Sequence, residues 1–463
     1  MHGMPKAVSS LAVVCFMIGQ AWATVTYTYE NDNKTYVAMV TDADDTMSAD
    51  AAAVLAGNSV TNFILRGDKQ LSVASGMAST FNGDIRIEGS SNKCVLNLGS
   101  SDALGVNRSP GTIAIQLGTF VPANNTTIAK DVAFGMDGSW NGRGFEAWTA
   151  RSIRLTGKMT IGNRNVSIAG YGNSRMVLAG GIEGSDGYFY INMYDGSKAT
   201  FENQPINLAN AFYFKWSGTA SYYDAKGFLG YYEFAVAGND IKALGWQDKT
   251  VRYGIRNISV KTTVDWAFNK SNMKVYFEND GVFDLCGTSQ RVGQLDVKLP
   301  AGNASVITNS LAAPATLYMG KMYGPDDSAP DIRFGGNLSV VFEGNINTTK
   351  VDHVMTAAGN LTVQGTGTQY SRLEFTENGS WPNATNVMVG GSSGKIAIAN
   401  PNALGRRANV DLYSNSSLEI ASGVTVNVRT LTVGGVQQPR GDYTFGSGTL
   451  RVSHPCGFQM CVR

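Results

Sequence analysis

Paired carboxylates are the side chains of this 463-residue chain that could perform chemistry on a sugar. Asp326 and Asp327 are adjacent, and Asp331 follows four residues later. Two such carboxylates can act as acid and base at a glycosidic bond, or they can bind calcium. Asp44 and Asp45 form a similar pair, although Asp is also a routine residue of turns. The catalytic candidates are therefore Asp326, Asp327 and Asp331, with turn formation as the alternative.

Other kinds of catalysis have little support in the sequence. Beyond the N-terminal segment the chain has two histidines, His353 and His454, and neither lies in a metal or triad motif. No C-x-x-C pair suggests zinc, and no glycine-rich segment has the strand-to-helix context of a phosphate-binding loop. The sequence predicts no metal and no cofactor, and it favours a protein that is not an enzyme.

Aromatic side chains near the middle of the chain are the better candidates for binding. Sugar rings stack on exposed Tyr and Trp faces, so one wall of an elongated fold could present several of them. The alternative is that these rings pack under a loop or in the core. The ligand-binding candidates are Trp216, Tyr222, Tyr223, Tyr231 and Tyr232.

Short strands are the elements that must position these side chains. In residues 394–452, apolar residues alternate in groups of two or three, such as Ile396 with Ile398 and Val424 with Val426 and Val428. Gly, Asn and Ser separate the groups, as expected of turns. Strands this short need neighbouring coils to bury a core. The pattern predicts an all-β fold, a single right-handed parallel β-helix of on the order of 18 coils at ~20–25 residues each.

Four segments follow from this pattern. Residues 1–23 have the form of a secretory signal, with Lys6 before an apolar run and an A-x-A cleavage site ending at Ala23. A retained N-terminal anchor is the alternative. Residues 24–59 are a cap region containing one short helix that starts near Ser48. Residues 60–452 form the β-helix, with an aromatic-rich elaboration near 186–253, and residues 453–463 form a C-terminal tail.

The cysteines suggest one candidate disulfide bond. Cys456 and Cys461 lie close together in the tail and are the candidate disulfide in an oxidising compartment, or alternatively a thiol pair for attachment to another molecule. Cys94 and Cys286 lie within apolar strand patterns, which predicts that both are buried as small hydrophobic residues.

Residues 283–297 read FDLCGTSQRVGQLDV. This segment resembles the L-D-L-N-G-x-x-Q-x-V-G-x-L signature of autotransporter-associated β-strand repeat proteins, and the N-A-L-G element that begins at Asn402 is similar to the same family. The resemblance implies an exported right-handed β-helix of the passenger type. Cys286 replaces the usual Asn. We expect only the passenger-like coil here, without the family's C-terminal translocator barrel.

The functional expectation is an exported protein, secreted or at the cell surface, that mediates adhesion or binds a polysaccharide without acting as an enzyme. A formal net charge of +1 predicts no general attraction to nucleic acid or acidic membranes. The mature chain has no second hydrophobic run that could span a membrane. The alternatives are a carbohydrate-active lyase or hydrolase on the same fold, and a structural component of a surface layer or filament.

Overall fold

The computed structural model is a parallel β-solenoid of about 15 turns, with 57% of its residues in strands and 3% in helices. The structure describes residues 25–453 except for 32, 58, 136–141, 164, 185–186, 215–229, 246–254, 256–257, 278–280, 298–304, 324–331, 344–347, 366–369 and 392. The prediction of an all-β parallel β-helix is confirmed. The turns are fewer than expected because several coils are longer than the ~20–25 residues that short strands and tight turns require.

In its described residues, the first half of the solenoid contains one α-helix, α1 (Ala49–Ala56), one 3-10 turn (Ala103–Gly105) and twenty-four strands. These strands are β1 (Thr26–Glu30), β2 (Thr35–Val40), β3 (Asp45–Thr46), β4 (Asn62–Gly67), β5 (Gln70–Val73), β6 (Asp84–Gly89), β7 (Val95–Leu98), β8 (Thr112–Leu117), β9 (Thr119–Val121), β10 (Thr126–Ile128), β11 (Asp131–Phe134), β12 (Gly142–Ala147), β13 (Ser152–Leu155), β14 (Met159–Ile161), β15 (Val166–Gly170), β16 (Arg175–Leu178), β17 (Ile182–Gly184), β18 (Phe189–Met193), β19 (Lys198–Phe201), β20 (Ile206–Leu208), β21 (Phe212–Tyr213), β22 (Gly230–Phe234), β23 (Asp240–Ile241) and β24 (Ala243–Leu244).

The second half contains twenty strands and no helix within the described residues. They are β25 (Ile258–Thr262), β26 (Asn269–Phe277), β27 (Val282–Asp284), β28 (Ser289–Val297), β29 (Ser305–Asn309), β30 (Ala315–Tyr323), β31 (Ile332–Gly336), β32 (Leu338–Glu343), β33 (Thr348–Val351), β34 (Leu361–Gly365), β35 (Ser371–Phe375), β36 (Asn386–Gly391), β37 (Gly394–Ile398), β38 (Asn409–Leu412), β39 (Ser417–Ile420), β40 (Thr425–Val428), β41 (Thr430–Val433), β42 (Val436–Gln437), β43 (Gly441–Phe445) and β44 (Gly448–Val452).

Three parallel ladders run along much of the solenoid, and a fourth, β33-β35-β37-β39, lies in its C-terminal part. Ladder A begins at β2 and passes through β4, β6, β8, β11, β14, β17 and β20 to β23. Ladder B begins at β3 and ends at β41, and ladder C runs from β10 through β13, β16, β19, β22, β25, β27 and β29 to β31. β26, β28 and β30 are longer, with nine residues each. β26 pairs with β24 of ladder B, and the bridge between Asn239 and Phe268 joins the residues next to β23 and β26, so the line of ladder A continues on these long strands.

Alternation along each strand sends every second side chain into one continuous core. Many aromatic residues of the middle region belong to this core, and Phe201 stacks on Phe234 with ring centroids 4.8 Å apart. Phe234 in turn contacts Phe268 at 4.8 Å. A second, smaller apolar cluster contains the buried Tyr213, against which Tyr190 stacks at 4.7 Å. Within the described part of the middle region, these aromatic residues therefore pack along the coils.

Antiparallel strands cover both ends of the described solenoid. At the N-terminal end β1 pairs antiparallel with β2, and at the C-terminal end β43 pairs antiparallel with β44. The predicted short helix is confirmed as α1, where the Ser48 hydroxyl accepts a hydrogen bond from the Ala51 N–H and Leu55 is fully buried. Such covers protect the backbone groups and core that a bare coil end would expose.

Lys130 is an unusual member of the interior, because its side chain is fully buried between coil corners near the N-terminal end. Its ammonium donates to the carbonyl oxygens of Gly83 at 2.9 Å and Pro110 at 3.4 Å, and it lies 5.7 Å from the ring centre of Phe81. Burial lowers the pKa of Lys130 to about 8, although the nearby Asp84 carboxylate acts in the opposite direction.

The lowered pKa predicts that Lys130 makes stability depend on pH. Between pH 8 and 10.5 the unfolded chain holds the Lys130 proton more tightly than the folded chain, so unfolding takes up a proton and the free energy of unfolding rises with pH. From pH 7.5 to pH 10 we expect a gain of about 2 kcal/mol relative to Lys130→Met, which lacks the titrating group. Urea titrations of the wild type and of Lys130→Met at several pH values measure the free energy of unfolding. If that free energy changed with pH equally in both proteins, the prediction would be wrong.

Candidate polymer-binding groove

Several predicted site residues lie outside the described part of the chain. They are the three carboxylates Asp326, Asp327 and Asp331, the aromatics Trp216, Tyr222 and Tyr223, the pair Cys456 and Cys461, and His454. The predicted signal segment, residues 1–23, also lies outside it. The predictions for these residues remain predictions.

Of the aromatic candidates in the described part, Tyr231 and Tyr232 have opposite orientations on β22. Tyr231 is 44% exposed, as a ring that stacks on a ligand must be. Tyr232 is 1% exposed, and its hydroxyl donates to the Ile191 carbonyl and accepts from the Met193 N–H. The prediction that Tyr232 binds a ligand is therefore wrong, because adjacent side chains of a strand face opposite sides.

Asp44 lies just before β3 and Asp45 lies in it, and both carboxylates accept backbone hydrogen bonds. Asp44 accepts a hydrogen bond from the Gln70 N–H at 2.8 Å, and Asp45 accepts from the Thr46 N–H at 2.7 Å. His353 is half-buried, and its Nε2 lies 2.9 Å from the Ile332 carbonyl oxygen. These residues serve local structure rather than a shared site.

The two cysteines in the described part differ. Cys94 is fully buried, which confirms its predicted role as a small core residue. Cys286 is only half-buried, because it lies in the turn after β27 and not within the strand. Burial raises the pKa of the Cys286 thiol, which disfavours the thiolate. The prediction of full burial is therefore wrong for Cys286.

Cys286 and Gly287 both have positive φ, at 44° and 76°. Asn adopts this left-handed conformation far more readily than Cys, and the repeat signature that the segment resembles has Asn at this position. We expect Cys286→Asn to raise the free energy of unfolding by about 0.5–1 kcal/mol. Urea titration measures the gain, with Cys286→Ala as the control that removes the thiol without favouring positive φ. An equal or smaller stability for the Asn variant would contradict the prediction.

A row of polar side chains follows the outer face of ladder A along the solenoid axis and continues on the long strands β26, β28 and β30. The strand register places Thr160 beside Glu183, Glu183 beside Asn207, and Asn207 beside Asp240. The bridge between Asn239 and Phe268 continues the same line. We call this line the axial row; its seven members, all exposed or half-buried, are Thr160, Glu183, Asn207, Asp240, Asn269, Arg291 and Tyr318.

A groove of about 780 Å³ lies over the first four members of the axial row. Lys242 and Asn272 line its side, so the walls carry hydrogen-bond donors and acceptors. Its two carboxylates are held by lysines, with Lys158 Nζ 2.8 Å from Glu183 and Lys270 Nζ 3.0 Å from Asp240. The groove is thus polar without a strong excess of either charge.

An aromatic platform, formed by Trp266, Arg291 and Tyr318, occupies the other end of the axial row. The ring centres of Trp266 and Tyr318 are 5.6 Å apart, and the Arg291 guanidinium lies 5.0 Å from the Tyr318 ring centre. Arg291 is fixed by two hydrogen bonds to Glu343 and one to Asn269. Because a guanidinium has five N–H donors, two remain for another partner.

Trp266 has a φ of 58°, a left-handed conformation that is costly for a bulky side chain. The backbone is held there by neighbouring coils, since the Trp266 N–H donates to the Ser289 carbonyl and Asp265 accepts from the Ser289 N–H. Backbone strain of this kind concentrates at functional sites. Among the non-glycine residues with positive φ in the described part of the chain, Trp266 is the one aromatic residue.

The sequence-based candidates did not include the axial row. The sequence spacing between neighbouring members changes from coil to coil, because the coils differ in length, so no fixed period joins them. Arg291 lies in the repeat-like residues 283–297, and Asn207 and Asp240 lie in the region near 186–253, but the sequence patterns named none of these three side chains as a candidate. Elsewhere in the described ranges, no three His, Cys, Asp or Glu side chains converge as a metal site, and no helix has the length and apolarity to cross a bilayer.

Comparison with known proteins adds no assignment to this geometry. No protein-family model, no curated protein and no solved structure matches the chain.

Proposed function

We propose that this chain is an exported, non-enzymatic solenoid that binds an extended polysaccharide along the axial row and so attaches to a polysaccharide or another cell surface. The observation that carries the proposal is the alignment of seven accessible polar or aromatic side chains in one line on successive strands. Export is supported by the signal-like residues 1–23 and by the resemblance to exported repeat proteins.

The dimensions and chemistry of the row suit a polymer. Neighbouring strands of a sheet are ~4.8 Å apart, so seven members span roughly 30 Å along the axis. Carboxylate and amide groups, such as those of Glu183, Asn207 and Asp240, can bond the hydroxyl groups of successive sugars. The platform adds ring faces at one end, where Trp266 and Tyr318 can stack on a sugar. A small ligand would use only a fraction of this row.

Blocking the groove at its centre tests the proposal. Asn207 is exposed between Glu183 and Asp240, so Asn207→Arg should fill the groove and abolish most binding to a glycan identified on an array. Gln204→Arg is the matched control, because Gln204 is exposed on the same coil but does not line the groove. We expect at least about a tenfold loss of affinity for the first variant and less than twofold for the second.

Two results would refute the proposal. One is a purified protein that binds no glycan above background on a broad array. The other is equal affinity of the Asn207→Arg variant and the wild type for the glycan that is found.

A carbohydrate-active enzyme is the second candidate, favoured by one observation. Glu183 and Asp240 flank Asn207 in the groove, and two strand intervals bring their backbones to within roughly 10 Å, near the separation used by inverting glycosidases. Binding is the better-supported function, because each carboxylate is ion-paired with a lysine and largely exposed. Release of reducing ends from the bound glycan, lost in Glu183→Gln, would replace the binding proposal by this one.

A further inference from the structure

A second pocket lies on the outer face of ladder C, on a different side of the coil from the axial row. Its volume is about 320 Å³. Charged and aromatic side chains from three successive strands, β19, β22 and β25, line it together with Arg175 of β16. We call it the Tyr231 pocket, after the exposed ring at its centre.

The strand register explains how this pocket forms. Arg175 lies beside Lys198, Lys198 beside Tyr231, and Tyr231 beside Ser259 on successive coils. A second outward column places Glu233 beside Lys261. The coil that ends in β22 is longer than the coil before it, so the pocket joins residues that lie far apart in the sequence.

Positive charge predominates in the pocket, which holds three cations and one carboxylate. Lys198 is ion-paired with Glu233, and Lys261 lies 3.9 Å from Asp284 on the next coil. Within the described ranges Arg175 has no carboxylate partner, and it is exposed. The pocket is thus locally positive, although the whole chain has a formal net charge of only +1.

The strand that carries the aromatic ring is anchored beside these cations. Tyr231 is 44% exposed, whereas its neighbour Tyr232 anchors β22 through hydroxyl contacts of 3.0 Å to the Ile191 carbonyl oxygen and 3.1 Å to the Met193 nitrogen. Tyr232 is therefore a positioning residue. A tyrosine side chain has only two torsions, so presenting the Tyr231 ring to a ligand costs little conformational entropy.

We propose that the Tyr231 pocket binds an anionic sugar unit, one that carries a carboxylate or a sulfate group. The sugar ring stacks on Tyr231, and the acidic group accepts hydrogen bonds from Arg175 and from the lysines Lys198 and Lys261. Hydrogen bonds to charged groups are about twice as strong as neutral ones, so the anionic group determines the preference. This site does not depend on the axial row.

Three probes separate the possible ligands: polygalacturonate for carboxylates, dextran sulfate for sulfates and unmodified dextran as the neutral reference. Binding is measured for the full chain at low and high salt. The test variants are Tyr231→Ala and the double variant Arg175→Gln/Lys261→Gln. The matched controls are Tyr413→Ala, because Tyr413 is 47% exposed near the C-terminal end, and Arg333→Gln on another coil of ladder C.

We expect at least one anionic probe to bind, with an affinity that falls as salt rises. The double variant and Tyr231→Ala should each lose at least about tenfold in affinity, and the controls less than twofold. The axial-row variant Asn207→Arg should retain this binding, which keeps the two proposals separate. Binding of neither anionic probe, or affinities unchanged in both test variants, would overturn the inference. Circular dichroism of each variant confirms that these exposed substitutions leave the fold intact.

Discussion

Trp381→Ala should lower the free energy of unfolding by about 4 kcal/mol. The indole is fully buried in the C-terminal half, stacks on Phe334 with ring centres 5.6 Å apart and an interplanar angle of 11°, and donates from Nε1 to the Ala357 carbonyl at 2.8 Å. Its removal leaves a cavity between coils and an unpaired carbonyl, and neighbouring strands cannot collapse without breaking their register.

Thermal melts and urea titrations measure this loss, and hydrogen exchange on β34 and β36 locates it within the repeat array. Trp381→Phe is the matched control, since it keeps a ring against Phe334 and removes only the Nε1 donor. We expect this variant to lose about 1–2 kcal/mol. A loss below about 1 kcal/mol for Trp381→Ala would mean that the solenoid core tolerates a large cavity, contrary to its close packing.

Trp266→Asn should weaken glycan binding by at least about tenfold while leaving the melting temperature nearly unchanged. The substitution removes a ring of the platform, whose centre lies 5.6 Å from that of Tyr318. It also relieves strain, because Asn accepts the φ of 58° that Trp266 adopts. The stability gained by relieving the backbone strain then offsets the loss of the indole's packing against Arg291 and Tyr318.

Trp148→Ala is the matched control for this substitution. Trp148 also carries a cation on its ring, with the Arg151 guanidinium 5.0 Å from the ring centre, but it follows β12 on ladder B and is not part of the axial row. Its loss should leave glycan affinity unchanged. If Trp266→Asn and Trp148→Ala weakened binding equally, the platform would have no special role in recognition.

The sequence predicted the fold well because short-strand alternation is a local property. Alternating pairs such as Ile396 and Ile398 identify the buried face of a strand even when the strands that it pairs with are unknown. Likewise, Ser48 followed by an alanine-rich segment identifies α1. The number of coils was less well predicted, because it depends on the length of each coil. Ala199 and its partner Tyr232 on the next coil, for example, are joined by an unusually long coil whose length the strand pattern does not reveal.

The outer-face sites could not be found in the same way. Tyr231 and Tyr232 are adjacent and chemically identical, and only the register of β22 decides that one is exposed and the other buried. The axial row joins residues from coils of unequal length, so its alignment exists only once the strands have paired. Cys286 shows the same limit at a turn, where the end of β27 determines its exposure.

The affinity of oligosaccharides as a function of their length tests the central claim most directly. If a polysaccharide lies along the axial row, affinity should rise with each added sugar until the row of roughly 30 Å is filled, and then become constant. The Asn207→Arg variant should remove this dependence on length. An affinity that is already maximal for a disaccharide, or a length dependence that Asn207→Arg leaves unchanged, would contradict binding along the solenoid axis.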